Sequence, residues 1–225
     1  MASRANRLSQ KAAIGIVVLL GATTWLTGCG NDTESSTPKT TEKTSNFRDE
    51  IQGLQRDKPI NTKAATLPEV NEDGSTTPFS FIAPENKLLF IAFGYTNCPD
   101  VCPTTLTDIR SALGLLEAEE AKNVNVAFAT VDPERDTADV MVDYLNSFVK
   151  DGHPLRPESN EQLLVAEKAL GITSEVKKND DGTVDVAHTA KSFVINDQGD
   201  VVVEWAFGTG ADQMASDLRL LLADR

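Results

Sequence analysis

The side chains of this 225-residue chain best suited to bind a soft metal ion or exchange a disulfide are its three cysteines and two histidines. Cys98 and Cys102 stand in Tyr95-Thr96-Asn97-Cys98-Pro99-Asp100-Val101-Cys102-Pro103, a Cys-x-x-x-Cys spacing. Two sulfurs so spaced can converge on one ion or on each other. Helix N-terminal N–H groups favour thiolate over thiol, so a helix opening here makes both sulfurs easier to ionise. Pro103 has no backbone donor, which predicts a helix starting at about Pro103 with the cysteines on a loop above it. A structural disulfide across so short a loop would stabilise the fold little.

The elements that must position these groups follow from the hydrophobic pattern. Residues 88–94 form a continuous apolar run ending in glycine, as in a strand buried on both faces, and residues 124–131 read as a second buried strand. Helical periodicity predicts helices over 104–121, 138–149, 161–170 and 212–222, the third stopped by Gly171 at its C-cap. The runs 192–195 and 201–205, joined by a turn-rich stretch at 196–200, predict an antiparallel hairpin. The folded pattern begins near Pro78; residues 47–77 are poorly patterned and could supply a hairpin or lie along the domain edge. This order defines an α/β class, a thioredoxin-like fold with a central mixed sheet flanked by helices.

In that fold the first buried strand leads into a redox dithiol, and the loop before the third strand lies beside it. Thioredoxin places a cis-proline in that loop; this chain has His188, just before the strand expected near Lys191. His153, in a turn-like stretch after a helix, reads as a surface residue. Two thiolates and one imidazole make a soft, low-coordinate set that prefers Cu(I) and can hold Cu(II), and that leaves zinc or iron under-coordinated. Calcium and magnesium need oxygen ligands.

The N-terminus carries Arg4, Arg7 and Lys11 ahead of an uncharged run over 12–26, a secretory signal pattern over residues 1–28. It closes on Leu26-Thr27-Gly28-Cys29, which resembles the lipobox of bacterial lipoproteins, and so implies lipidation of Cys29 and a membrane tether on the extracytoplasmic face. Cysteines then divide between one lipid site and one dithiol. Residues 31–46 are mostly Ser, Thr and charge, too polar to bury a core, so residues 29–56 are read as a flexible linker and 57–225 as the domain. Formal charge is −13, and removal of residues 1–28 takes away three basic and no acidic groups, leaving −16. Such a chain has no electrostatic footprint for nucleic acid, and its membrane contact rests on the tether rather than on charge.

With these motifs in hand the chain resembles the Sco/SenC copper chaperones of cytochrome c oxidase assembly, from roughly Asp57 to the C-terminus. The segment Tyr95 to Pro103 is similar to the family's YTxCPxxCP signature, and Val131-Asp132-Pro133-Glu134-Arg135-Asp136-Thr137 to its VDPxRDT block. His188 falls where the family has its copper-ligating histidine, although the family's Asp-His-Ser is here Ala187-His188-Thr189. The resemblance implies copper on Cys98, Cys102 and His188, with Asp132 close to the site. For Arg135 and Asp136 the plain reading is a strand end followed by a helix cap, supplied by Asp136 or Thr137. The partners implied are cytochrome c oxidase subunit II, through its CuA site, or another copper protein, and a thioredoxin-like reductant. The alternative, from a different class, is a thiol-disulfide oxidoreductase or thiol peroxidase using Cys98 and Cys102, chemistry that does not require His188.

Overall fold

The computed structural model describes residues 47–225. The signal segment, Cys29 and the linker through residue 46 lie outside the described residues. Two parallel strands, β3 (Leu88–Gly94) and β4 (Val124–Thr130), form the centre of a seven-stranded mixed sheet. Period-two alternation sends Leu88, Phe90 and Ala92 to one face and Leu89, Ile91 and Phe93 to the other. Both faces are covered, so all seven residues of β3 are buried. Helices α1 (Val101–Leu115), α3 (Ala138–Asn146) and α5 (Ala211–Ala223) pack on the first face, through Leu106, Ile109, Met141, Leu145, Met214 and Leu218. Helix α4 (Asn160–Leu170) packs on the second, and Gly171 ends it at φ 65° as its C-cap. A short helix, α2 (Ala118–Ala121), follows α1.

The expected hairpin forms as β8 (Lys191–Ile195) and β9 (Val201–Ala206), with β8 antiparallel to β3. The mixed α/β class and its thioredoxin-like arrangement are therefore as the pattern predicts. The first helix is shorter than expected at its far end, Leu116 being extended, and it starts earlier, at Val101.

Three features had weak sequence signals. A hairpin of β1 (Thr66–Val70) and β2 (Thr76–Ser80) extends the sheet beyond β5 (His153–Leu155), a three-residue strand parallel to β4. A separate hairpin, β6 (Ser174–Lys178) with β7 (Val184–His188), stands outside the main sheet. Third, His153 is not a surface turn residue: its Nδ1 lies 2.7 Å from Glu69 Oε1 and its ring 4.8 Å from that of Phe79. A strand of three residues is too short to show period-two alternation, which is why it reads as a turn.

Residues 47–56, read from sequence as linker, lie on the domain. Ile51 is buried, and Leu54 bridges Glu204 on the edge strand β9. Asp217, fully buried on α5, accepts hydrogen bonds from the N–H groups of Gln52 and Gly53 at 2.8 and 2.9 Å and from Trp205 Nε1 at 2.9 Å. One carboxylate thus ties the entering chain to the sheet and the last helix, and the entering chain covers an otherwise open sheet edge. Asp217→Ala strands three donors, and the expected cost is on the order of 3 kcal/mol in a urea titration. A loss below about 1 kcal/mol, or unchanged amide exchange at Gln52 and Gly53, would contradict this role.

Candidate metal centre

Strand β3 delivers the chain to the site. Gly94 ends it, where a Cβ would meet Cys102 Sγ at 2.5 Å and Phe128 Cζ at 2.9 Å, so only glycine admits the sulfur this close to the strand. Beyond Tyr95 the loop turns, Cys98 N–H donating to the Tyr95 carbonyl at 3.2 Å, and α1 begins at Val101 with Asp100 as N-cap. The helix does not wait for Pro103. In the first helical turn no N–H has an intrahelical partner, so a proline at the third position forfeits no bond. Cys102 therefore sits inside the first turn rather than on a loop. Asp100 makes no side-chain cap; instead Cys98 Sγ takes the Cys102 N–H at 3.3 Å, a sulfur accepting one of the donors the helix leaves free.

His188 is the last residue of β7 rather than part of a loop, opposite Ser174 in the hairpin register. Its Nε2 lies 3.7 Å from Cys102 Sγ. Its Nδ1 lies 3.1 Å from the Thr189 carbonyl, which can only accept, so the proton of the neutral ring belongs on Nδ1 and the Nε2 lone pair faces the sulfur. Burial holds the His188 pKa below the usual imidazole value, partly opposed by that carbonyl, which keeps the ring neutral at pH 7. Typical metal–sulfur and metal–nitrogen bonds of about 2.3 and 2.0 Å meeting near 120° set the two donors roughly 3.7 Å apart. The observed spacing fits a shared ion. The set is adjacent but not closed: among the described residues no three His, Cys, Asp or Glu side chains already surround a common point.

The two thiols, both free, have opposite environments. Burial raises the Cys98 pKa, but hydrogen bonds from the Cys102 thiol and N–H, the Asp100 N–H and the Tyr95 hydroxyl outweigh it and leave Cys98 below an ordinary thiol. Cys102 is 3% exposed; burial first, then its hydrogen bond to Cys98 and that residue's charge, push it far above. Cys98 is therefore the more readily ionised of the two, and Cys102 keeps its proton to higher pH. A cleft of about 320 Å³, lined in part by Tyr95, Cys98, Val186 and His188, opens beside them.

Around the donors lies a shell that the sequence did not disclose. Asp136 does not cap α3; Thr137 occupies the N-cap position, without a side-chain cap bond. Asp136 is fully buried and accepts from Thr96 N–H at 3.0 Å, Thr96 Oγ1 at 2.6 Å and Thr130 Oγ1 at 2.5 Å. It ties the cysteine loop to the end of β4. Asp132 is also buried; its carboxylate pairs with Arg135, and its backbone N–H donates to Thr130 Oγ1. The Arg135 guanidinium lies 5.8 Å from the Tyr95 ring centroid, and that ring meets His188 edge to face at 6.2 Å. Asp132 thus reaches the site through two intermediaries. No single-sequence signal marks an aspartate as an anchor rather than a cap, because both follow a strand and precede a helix.

Fold and site together define a thioredoxin-like protein with a dithiol and a neutral imidazole at the strand-to-helix junction. The SCO1/SenC family model matches residues 70–223, and the chain belongs to that family. It is 32% identical over 127 residues, 56% of this chain and 62% of the other, to a Stutzerimonas stutzeri protein whose name refers to copper binding. The chain thus spans less than two thirds of that relative's length. Among solved structures it is similar to apo Sco1 of Thermus thermophilus, with TM-score 0.64 and 28% identity, covering 75% of this chain and 95% of that one. It is also similar to copper-bound ScoI of Bradyrhizobium japonicum, with TM-score 0.59 and 30% identity, covering 69% and 96%.

Alkylation by iodoacetamide with peptide mapping is expected to label Cys98 before Cys102 at pH 7. In Cys102→Ala the midpoint of Cys98 alkylation shifts to higher pH, since the thiolate loses the thiol donor that stabilises it. Equal labelling of both cysteines would refute the asymmetry.

Proposed function

We propose that this protein is a membrane-tethered, extracytoplasmic copper carrier that holds copper on Cys98, Cys102 and His188 and passes it to the CuA site of cytochrome c oxidase subunit II. The observation that carries this reading is His188 Nε2 at 3.7 Å from Cys102 Sγ, with its Nδ1 on the Thr189 carbonyl and the Cys98 sulfur on the Cys102 N–H. Two sulfurs and one imidazole select Cu(I), and the family relatives named or solved with copper point the same way. Copper is cargo: it enters as Cys102 gives up its proton and leaves to a client with better ligands. The tether rests on the pattern of residues 1–29; among the described residues no helix is long and apolar enough to cross a membrane.

A second reading, reduction of the client's cysteines, is favoured by the split between the thiols. The Cys98 thiolate attacks a client disulfide and releases one client thiolate. Cys102, deprotonated, then attacks Cys98, releasing the second and leaving a Cys98–Cys102 disulfide; two electrons pass to the client, and a thioredoxin-like dithiol returns them. The oxidised form cannot offer thiolates to copper, so the two activities exclude each other in any one molecule.

Titration of the reduced, full-length protein with Cu(I) against a chromophoric chelator is expected to give about one copper per chain. His188→Ala should weaken it on the order of tenfold or more, and should leave the rate of exchange with a small disulfide within about twofold. Cu(II) loading should produce thiolate-to-metal charge-transfer absorption. Equal copper affinity in wild type and His188→Ala would overturn the three-donor site.

A further inference from the structure

The two strands of the β6–β7 hairpin line two different clefts. One opens over Cys98 and His188; the other, of about 480 Å³, lies between the loop after β4, helix α4 and strand β6 and is used by nothing described above. Its wall from β6 consists of Ser174, Val176 and Lys178, alternate residues on one face of the strand. Helix α4 contributes Leu163, Leu164 and Glu167.

Glu167 is 4% exposed, and its Oε1 has no hydrogen-bond partner. A carboxylate removed from water without a partner is costly, and a folded protein retains one where something else satisfies it. The neighbouring carboxylates are already matched, Asp132 by Arg135 and Glu134 by Lys178 across the cleft, and no ion pair engages Glu167 among the described residues. At the rim Leu164 and Val176 are large apolar side chains at 52% and 38% exposure.

A buried carboxylate flanked by Leu163, Leu164 and Val176 matches a long basic side chain, whose methylenes lie on apolar surface while its charged end meets an acid. Divalent ions fit poorly, because they require several oxygen ligands and only this carboxylate lacks a partner. We infer that this cleft is a docking subsite for a lysine or arginine side chain of a partner protein, its cation on Glu167 and its flanking apolar residue against Leu164 and Val176. The inference rests on neither the copper nor the dithiol reading. It would bring the partner against the hairpin that carries His188: Ser174, on the cleft wall, pairs with His188, and Asp132, also lining the cleft, reaches that histidine through Arg135 and Tyr95.

The test is an amide NMR titration of the 15N-labelled full-length protein with acetyl-Leu-Lys-Leu-amide and with the same peptide carrying norleucine in place of lysine. The lysine peptide is expected to shift amides within 131–134, 163–167 and 174–178 and to saturate. Norleucine should bind about tenfold more weakly or not at all. Glu167→Gln, close in shape to the native side chain, should lose a similar factor, and Leu164→Lys on the exposed rim should abolish the shifts without touching the buried acid. Spectra of both variants away from the cleft report whether they are folded. Equal binding of the two peptides, unchanged binding in Glu167→Gln, or shifts confined to other surfaces would overturn the proposal. Binding of n-butylammonium as tight as that of the peptide would also overturn it, in favour of a free amine.

Discussion

Asp136 sits where two parallel strands end side by side, Gly94 opposite Thr130, and its buried carboxylate gathers a backbone N–H and two hydroxyls from the segments that leave them. The rest of the site depends on that grip. With Thr96 held, Tyr95 is placed to receive the Cys98 N–H on its carbonyl, and α1 can begin close enough to β3 for Cys102 to lie over Gly94. The Asp136 loop is itself held by Arg156, whose Nε donates to the Asp136 carbonyl and whose guanidinium also donates to the Pro133 carbonyl, both at 2.8 Å. A charge buried with three donors and no competing water gives a stiff anchor, because each donor would be orphaned by any displacement.

On this frame, two chemically identical side chains four residues apart acquire different protonation. Cys98 is half-buried and surrounded by donors, while Cys102 is buried beneath it and acts as one of those donors. The pair is therefore unequal, and the proton on Cys102 must leave before both sulfurs can serve one ion. His188 complements this state, since its neutral ring presents a lone pair instead of a competing positive charge.

The hairpin that holds His188 lines both clefts, β7 the donor cleft and β6 the cleft of Glu167. A short two-stranded ribbon outside the main sheet has little core of its own, so its position depends on what packs against its faces. The Glu134–Lys178 ion pair, solvent-exposed and hence weak, spans from the loop after β4 to β6. The protein thus presents a metal-type donor set beside β7 and an acidic, partly apolar cleft beside β6, the two strands of one ribbon, connected through Asp132, Arg135 and Tyr95.

By itself the sequence determined the donor types, the Cys98–Cys102 spacing, the central strands and the terminal hairpin and helix, because those depend on residue chemistry and on periodicities within a single element. Several local readings failed where a distant partner decided the outcome. Asp136 became an anchor because Thr96, forty residues earlier, needed an acceptor. The 47–56 segment became part of the domain because Asp217 waits for it on the last helix. His188 became a strand end through pairing with Ser174. The start of α1 before Pro103 has a local cause, since the first turn has no bond for a proline to break. Which thiol ionises more readily, which carboxylate is matched and which is left alone were decided only by tertiary structure, since burial and long-range hydrogen bonds, not residue type, set the energy of a charge.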